Sequence, residues 1–516
     1  MSLKLREHRG TIAGLLALLA VSIWLRSTAL HAPFWIDEGL SVGIGSHPFF
    51  DIPGVLRQDG SPPLYYLLLH VWMEVFSDGQ ATTHMLSLIF ALLTVPAAFW
   101  AGRSLFNARS GWIAAGLAAI NPFLTYYAQE TRMYSLVALE ALVLVACFTH
   151  AFAFDRKQFR IPAGLALAAL IYTHNWGLFL GLGTAVALLP LWRASEDRRA
   201  FLKDAAVTYG TAAVLYLPWV PSLLFQAAHT GAPWSERPSL SDVLGPISGI
   251  LGGEAVPLGL FLAAGAGLAT ALKQHDGHRA RAIWMLVTIP LAGLAIAWLQ
   301  SQASPAFTGR YFAVFVGPVI LLAGIGLAHA GRLGIVCLAI VVALWLDPRT
   351  DTINRKSDAR LVASLIKDHV APGDLVISAH PEQAPLLHYY FPKGLRYATA
   401  LGPMPDPQVF DWRDALDKLR AAHPPAVLSP LVSTMKPGQR VVLVLPIIRR
   451  ATWNAPWTRL VRRRSAEWER AANRDPQLQR GAVYPEFENR PLPRGVRAII
   501  YRVTCTDARA AYVGLC

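Results

Sequence analysis

Apolar runs of about twenty residues recur along the first two thirds of the chain, separated by short polar gaps. Runs of that length match the roughly 30 Å hydrocarbon core of a bilayer. The first covers 11–30. After the polar stretch 31–62, the shorter segment 63–76 predicts an amphipathic helix at the membrane surface. Runs at 84–102, 111–127, 134–153, 161–173, 176–192, 205–220, 256–272, 282–300, 312–329 and 333–346 follow, so the pattern predicts eleven spans. Short loops rich in Lys and Arg face the cytoplasm. With 63–76 kept on the surface, Lys4, Arg6 and Arg9, the DRKQFR and KQHDGHRAR loops and Arg332 all fall on one side. The expected topology is N-terminus cytoplasmic and C-terminus outside. No A-x-A-like site follows the first run, which reads as an uncleaved span.

Residues 347–516 change character, with Pro, Arg and Trp and no run long enough to span. DLVIS (374–378), VVLVLP (441–446) and RAIIYRV (497–503) predict strands. SDARLVASLIKDHV (357–370) predicts a helix that stops at Pro372–Gly373. The expected fold class is an α-helical polytopic membrane domain over 1–346 with an extracytoplasmic α/β domain over 347–516.

Composition agrees: 54% of residues are hydrophobic and 16% charged, against about 25% charged in soluble domains. The net charge of +14 sits mostly in the loops and the tail, and no nucleic-acid-binding motif accompanies it. The Arg-rich run 459–464 reads as a solvated face. Of four cysteines, Cys147 and Cys337 lie in apolar runs and read as packing residues. Cys505 and Cys516 lie in the tail, where an oxidising compartment permits a disulfide that spacing alone does not establish.

The topology gathers polar residues at the outer face: Asp37, Glu38 and Asp59, Glu130 and Arg132, His174 and Asn175, and Arg310 with Tyr311. Ionisable groups at membrane level are costly and mark functional sites. A carboxylate takes a proton from an incoming hydroxyl, and an arginine at the headgroup boundary holds a phosphate. Asp37 and Glu38 supply the first group, Arg132 and Arg310 the second. Tyr65, Tyr66 and Tyr134 offer faces on which sugar rings stack. Each has a plainer reading: a solvated acidic pair, an exposed ion pair worth about 0–1 kcal/mol, a packing histidine, an aromatic belt. The joint placement on one face favours a site.

PFWIDEGLS (33–41), DGSPPLYY (59–66), YYAQETRMY (126–134) and GRY (309–311) together resemble the lipid-linked-sugar glycosyltransferases of the GT-C fold. Within them the chain is similar to bacterial relatives of the protein O-mannosyltransferases and of the aminoarabinose transferases, over roughly residues 1–330. The resemblance implies a polyprenyl-phosphate sugar donor, an acceptor glycan, lipid or protein, and attack at the anomeric carbon with inversion. It implies Asp37 as base with Glu38 its neighbour, Asp59 and Glu130 in the substrate cavity, and Arg132 and Arg310 on the donor phosphate. Ser61 stands where the aminoarabinose transferases carry a Lys. Mannose is the default sugar. No cofactor is required by the sequence, although some relatives use a divalent metal. The expected setting is the bacterial inner membrane. The competing readings are a transporter or flippase for a lipid-linked anion, which predicts midplane charges and repeat symmetry, and a non-catalytic envelope assembly protein.

Overall fold

The structure, a computed structural model, describes residues 2–253, 255–274, 277–448, 454–485 and 495–504, with side chains from residue 8 onward. Cys505 and Cys516 lie outside the described residues. Among the described residues, nine helices are long and apolar enough to cross a membrane. They cover nine of the eleven expected spans. At the other two the helices are shorter. The run at 111–127 is broken into Ala108–Ile120 and Pro122–Tyr127, because Asn121 leaves the helical region and its side chain caps the second piece by accepting from the Leu124 N–H. The run at 161–173 is the 14-residue helix Arg160–Thr173, about 21 Å long at 1.5 Å per residue. The segment 63–76 forms the short helix Leu64–Val75, as predicted.

Small residues let the long helices approach closely. A Cβ on Gly267 would lie 1.8 Å from the Gly326 carbonyl oxygen, so the helices Ala255–Gln274 and Ala313–His329 touch backbone to backbone there.

Beyond Trp345 the chain builds one six-stranded sheet. Its strands are β1 (Leu375–Ser378), β2 (Arg396–Thr399), β3 (Gly402–Pro403), β4 (Arg440–Ile447), β5 (Leu478–Tyr484) and β6 (Gly495–Val503), in the order β3-β2-β1-β4-β6-β5. Strand β1 runs parallel to β2 and β4, and the other pairs are antiparallel. Alternation divides the core between two faces. Val376, Val442, Val444 and Ile500 pack with the helices Ala359–Ile366 and Ala384–Tyr390. Ile377, Leu443 and Ile499 join the cluster that holds Trp457, Val461 and Trp468 of the helix Pro456–Arg474. That helix carries the Arg-rich run, and Arg464 corrects the solvated reading: it is 5% exposed and donates to the Leu419 and Arg420 carbonyls.

The sheet is not an appendage. Phe34 and Val42, from the first polar stretch, belong to the same hydrophobic cluster as β1, β4 and β6. A Cβ on Gly43 would lie 2.0 Å from the Gln408 carbonyl oxygen, so the helix Ile36–Gly45 sits directly against the tail.

Candidate functional site

The polar stretch 31–62 folds into two short helices, Ile36–Gly45 and Ile52–Asp59. Consecutive residues on a helix point about 100° apart, so Asp37 and Glu38 face different surroundings. Asp37 lines a cavity of about 900 Å³ between the helical bundle and the tail. Its carboxylate is 18% exposed and lies 3.0 Å from the Arg310 guanidinium.

Glu38 is fully buried and does not line the cavity. Its Oε1 accepts from His84 Nε2 at 2.6 Å and from the Thr131 N–H at 2.9 Å. Its Oε2 accepts from Lys356 Nζ at 2.8 Å and from the Trp35 N–H at 3.2 Å. Burial pushes this carboxyl up, but Lys356 and His84 outweigh that and hold it well below its ordinary range. An ionised carboxylate with both oxygens engaged joins four chain segments and has no room for substrate.

The remaining expected residues divide the same way. Asp59, Arg132, His174, Arg310 and Tyr311 line the cavity with Asp37. Glu130, Tyr65, Tyr66 and Tyr134 are fully buried behind it. Glu130 lies 4.0 Å from Lys356 Nζ. Tyr66 Oη accepts from Arg132 NH1 at 3.4 Å, and the same nitrogen donates to Ser41 Oγ at 3.0 Å and to the Asp37 carbonyl at 3.3 Å. These bonds hold Arg132 beside the Asp37 backbone. Tyr134 packs under the Arg132 guanidinium, 5.7 Å from carbon to ring centre.

Burial raises the Asp59 carboxyl, opposed by Ser61 and Arg132. His174 is pushed down to about 3 by burial and by the Arg132 and Arg310 charges. Its Nδ1 accepts from the Trp176 N–H at 3.1 Å, which leaves Nε2 as the protonated nitrogen of a neutral ring. Gly60 follows Asp59 at φ +99, and a Cβ there would lie 2.8 Å from Thr230 Oγ1. Glycine therefore allows this turn to close against the 230–236 loop.

Sequence reasoning missed Lys356, a single Lys in the polar linker INRKSD that is 2% exposed between Glu38 and the Gln129 carbonyl. It also missed the lining that the tail supplies, including His380, Gln383 and Trp412. Among the described residues no three His, Cys, Asp or Glu side chains gather as a metal site. Asp37 is paired with Arg310 and Asp59 is buried near Ser61.

No protein-family model matches the chain. No curated protein matches it in sequence. Solved structures do. ArnT from Cupriavidus metallidurans in the apo state superposes with a TM-score of 0.64 at 15% identity, over 95% of this chain and 98% of that one. An Archaeoglobus fulgidus oligosaccharyltransferase gives 0.54 at 13% identity, over 83% and 67%. The arabinofuranosyltransferase AftD from Mycobacteria gives 0.55 at 14% identity, over 95% of this chain and 40% of that one. Likeness at this identity defines the fold. The chain has the GT-C fold of membrane glycosyltransferases, with a multi-pass helical bundle and a C-terminal α/β region.

Proposed function

We propose that this protein is a membrane glycosyltransferase that moves a sugar from a polyprenyl-phosphate donor to an acceptor hydroxyl at the outer face of a bacterial inner membrane. The observation that carries the reading is the Asp37–Arg310 pair at 3.0 Å, open to a cavity at the end of the bundle. One group accepts a proton and the other binds a phosphate. Solved structures of the same fold support the lipid donor: one is ArnT bound to undecaprenyl phosphate, another AglB in complex with an inhibitory peptide and a dolichol-phosphate.

In the proposed reaction the acceptor oxygen attacks the anomeric carbon and its proton passes to Asp37. The bond from that carbon to the phosphate oxygen breaks, and the electron pair leaves with the polyprenyl phosphate. Arg310 and Arg132 stabilise the charge on the departing group. The sugar configuration inverts, because attack comes opposite the leaving group. His174 serves as a neutral hydrogen-bond donor rather than a base. Asp59 and Tyr311 complete the substrate contacts, while Glu38, Glu130, Tyr65, Tyr66 and Tyr134 hold that lining in place. A mannose-like hexose is the default donor sugar.

The test is release of undecaprenyl phosphate from undecaprenyl-phosphate mannose and related donors by the purified protein in the presence of acceptor. Transport of the intact donor across a vesicle membrane without release would replace the enzyme reading with the transporter reading.

A further inference from the structure

The cavity is lined by two chemically different sets of residues. The bundle supplies Arg132 and Arg310, the only Lys or Arg side chains in the lining among the described residues. The tail and the 230–236 loop supply aromatic and neutral polar groups together with Glu236 and Glu382. The loop is tied to the tail by the Trp457 N–H donating to the Pro233 carbonyl at 3.1 Å. It is tied to the bundle by the Phe307 N–H donating to Ser235 Oγ at 2.9 Å.

Three tryptophans pack together there, with half-buried Trp234 at the cavity and Trp412 and Trp457 buried beneath it. Trp234 and Trp412 meet edge to face at 4.5 Å, and Trp412 lies 5.1 Å from Trp457. Around them, lining side chains carry occluded polar atoms that have no hydrogen-bond partner among the described residues: Trp234 Nε1, Trp457 Nε1, His380 Nδ1 and Gln383 Oε1. Gln383 is 2% exposed. Unpaired buried polar groups of this kind are costly. Neutral hydroxyls would relieve that cost with both donors and acceptors once these side chains turn toward the cavity.

Building on the reading of this cavity as a glycosyl-transfer site, we infer that the acceptor is a neutral glycan, seated on Trp234 and on Gln383. Sugar rings present an apolar face to tryptophan and hydroxyls at their edges. A phosphorylated lipid acceptor fits less well. With both arginines assigned to the donor phosphate, the other charged side chains in the lining among the described residues are Asp37, Asp59, Glu236 and Glu382.

The experiment uses the full-length protein in detergent and three neutral probes, mannotetraose, maltotetraose and chitotetraose, followed by tryptophan fluorescence. A Ser/Thr-rich peptide and lipid A are the controls. At least one oligosaccharide is expected to give a saturable change. That binding should weaken roughly tenfold or more in Trp234→Ala and in Gln383→Ala and recover partly in Trp234→Phe. Undecaprenyl phosphate affinity, measured by native mass spectrometry, is expected to stay the same in all three variants. Saturation by the peptide or lipid A alone, or oligosaccharide binding that none of the variants changes, overturns the inference. Sugar binding without any release of undecaprenyl phosphate from a donor refutes the proposed reaction and leaves the glycan site standing.

Discussion

Asp37 Oδ2 and Arg310 NH1 lie 3.0 Å apart, so the proposed base and the proposed phosphate ligand hold each other. A donor phosphate that draws Arg310 away leaves Asp37 free to take a proton. In the proposed reaction the two events would thereby be ordered, donor first. In Asp37→Asn, transfer is expected to fall by about a hundred- to ten-thousand-fold, the usual worth of a general base. Undecaprenyl phosphate should bind that variant severalfold tighter, because Arg310 no longer has a competing carboxylate. Full transfer activity would remove Asp37 from the role. Weaker phosphate binding would remove the competition.

Arg310 also has a predicted dissection. Lysine keeps the charge but loses the planar fork that grips two phosphate oxygens. Arg310→Lys is expected to raise the donor KM by about tenfold, and Arg310→Ala by more. An apparent donor KM in Arg310→Ala equal to that of the parent protein would assign the phosphate elsewhere.

Glu38 is expected to matter for stability before chemistry. Glu38→Ala leaves the buried Lys356 ammonium facing the Gln129 carbonyl and, 4.0 Å away, the Glu130 carboxylate, a loss of up to about 3–5 kcal/mol for a broken buried pair. Because the Glu38 carboxyl is held below its ordinary value of 4.5, its contribution is present above that pH and fades as pH falls further. Thermal unfolding in detergent reads both effects, and an unchanged midpoint in Glu38→Ala would contradict this account.

The clasp between loop and tail is pH-sensitive. His47 Nε2 lies 2.8 Å from Asp406 Oδ2, and its Nδ1 lies 2.9 Å from the Gly43 carbonyl. The Asp406 hydrogen bond raises His47 and, reciprocally, lowers Asp406. A raised histidine stabilises fully below its ordinary 6.5 and loses that contribution as pH climbs through the raised value. The Asp406 contribution is lost at the other end, as pH falls below 3.8. Between pH 6 and 9 the parent protein is expected to lose up to about 1 kcal/mol that His47→Gln does not lose, since the pair is part-exposed. Parallel pH profiles of the two melting temperatures would refute the clasp.

The apolar runs were legible because length and hydrophobicity suffice to mark a helix that lipid surrounds. The break at Asn121–Pro122 was present in the sequence, but an uninterrupted hydropathy reading passes over it. Strands β4 and β6 were readable as apolar blocks. Strand β5, LQRGAVY, pairs only with β6 at the edge of the sheet, and its mostly exposed residues carry little apolar signal. Asp37 and Glu38 were found as a pair, yet adjacent letters do not say which one a helix turns inward. Lys356 carried no local signal at all, because its partners come from distant parts of the chain.

Those partners bear on how the protein comes into being. Lys356 and Glu38 are 318 positions apart, and the lysine follows the last apolar helix in the order of synthesis. A nascent chain can thread every helix into the bilayer and still lack the ammonium that neutralises Glu38. The helix that presents Asp37 is anchored in its final place only after residue 356 has been made and has folded back. Immature chains are therefore expected to reach the membrane before they become competent for transfer.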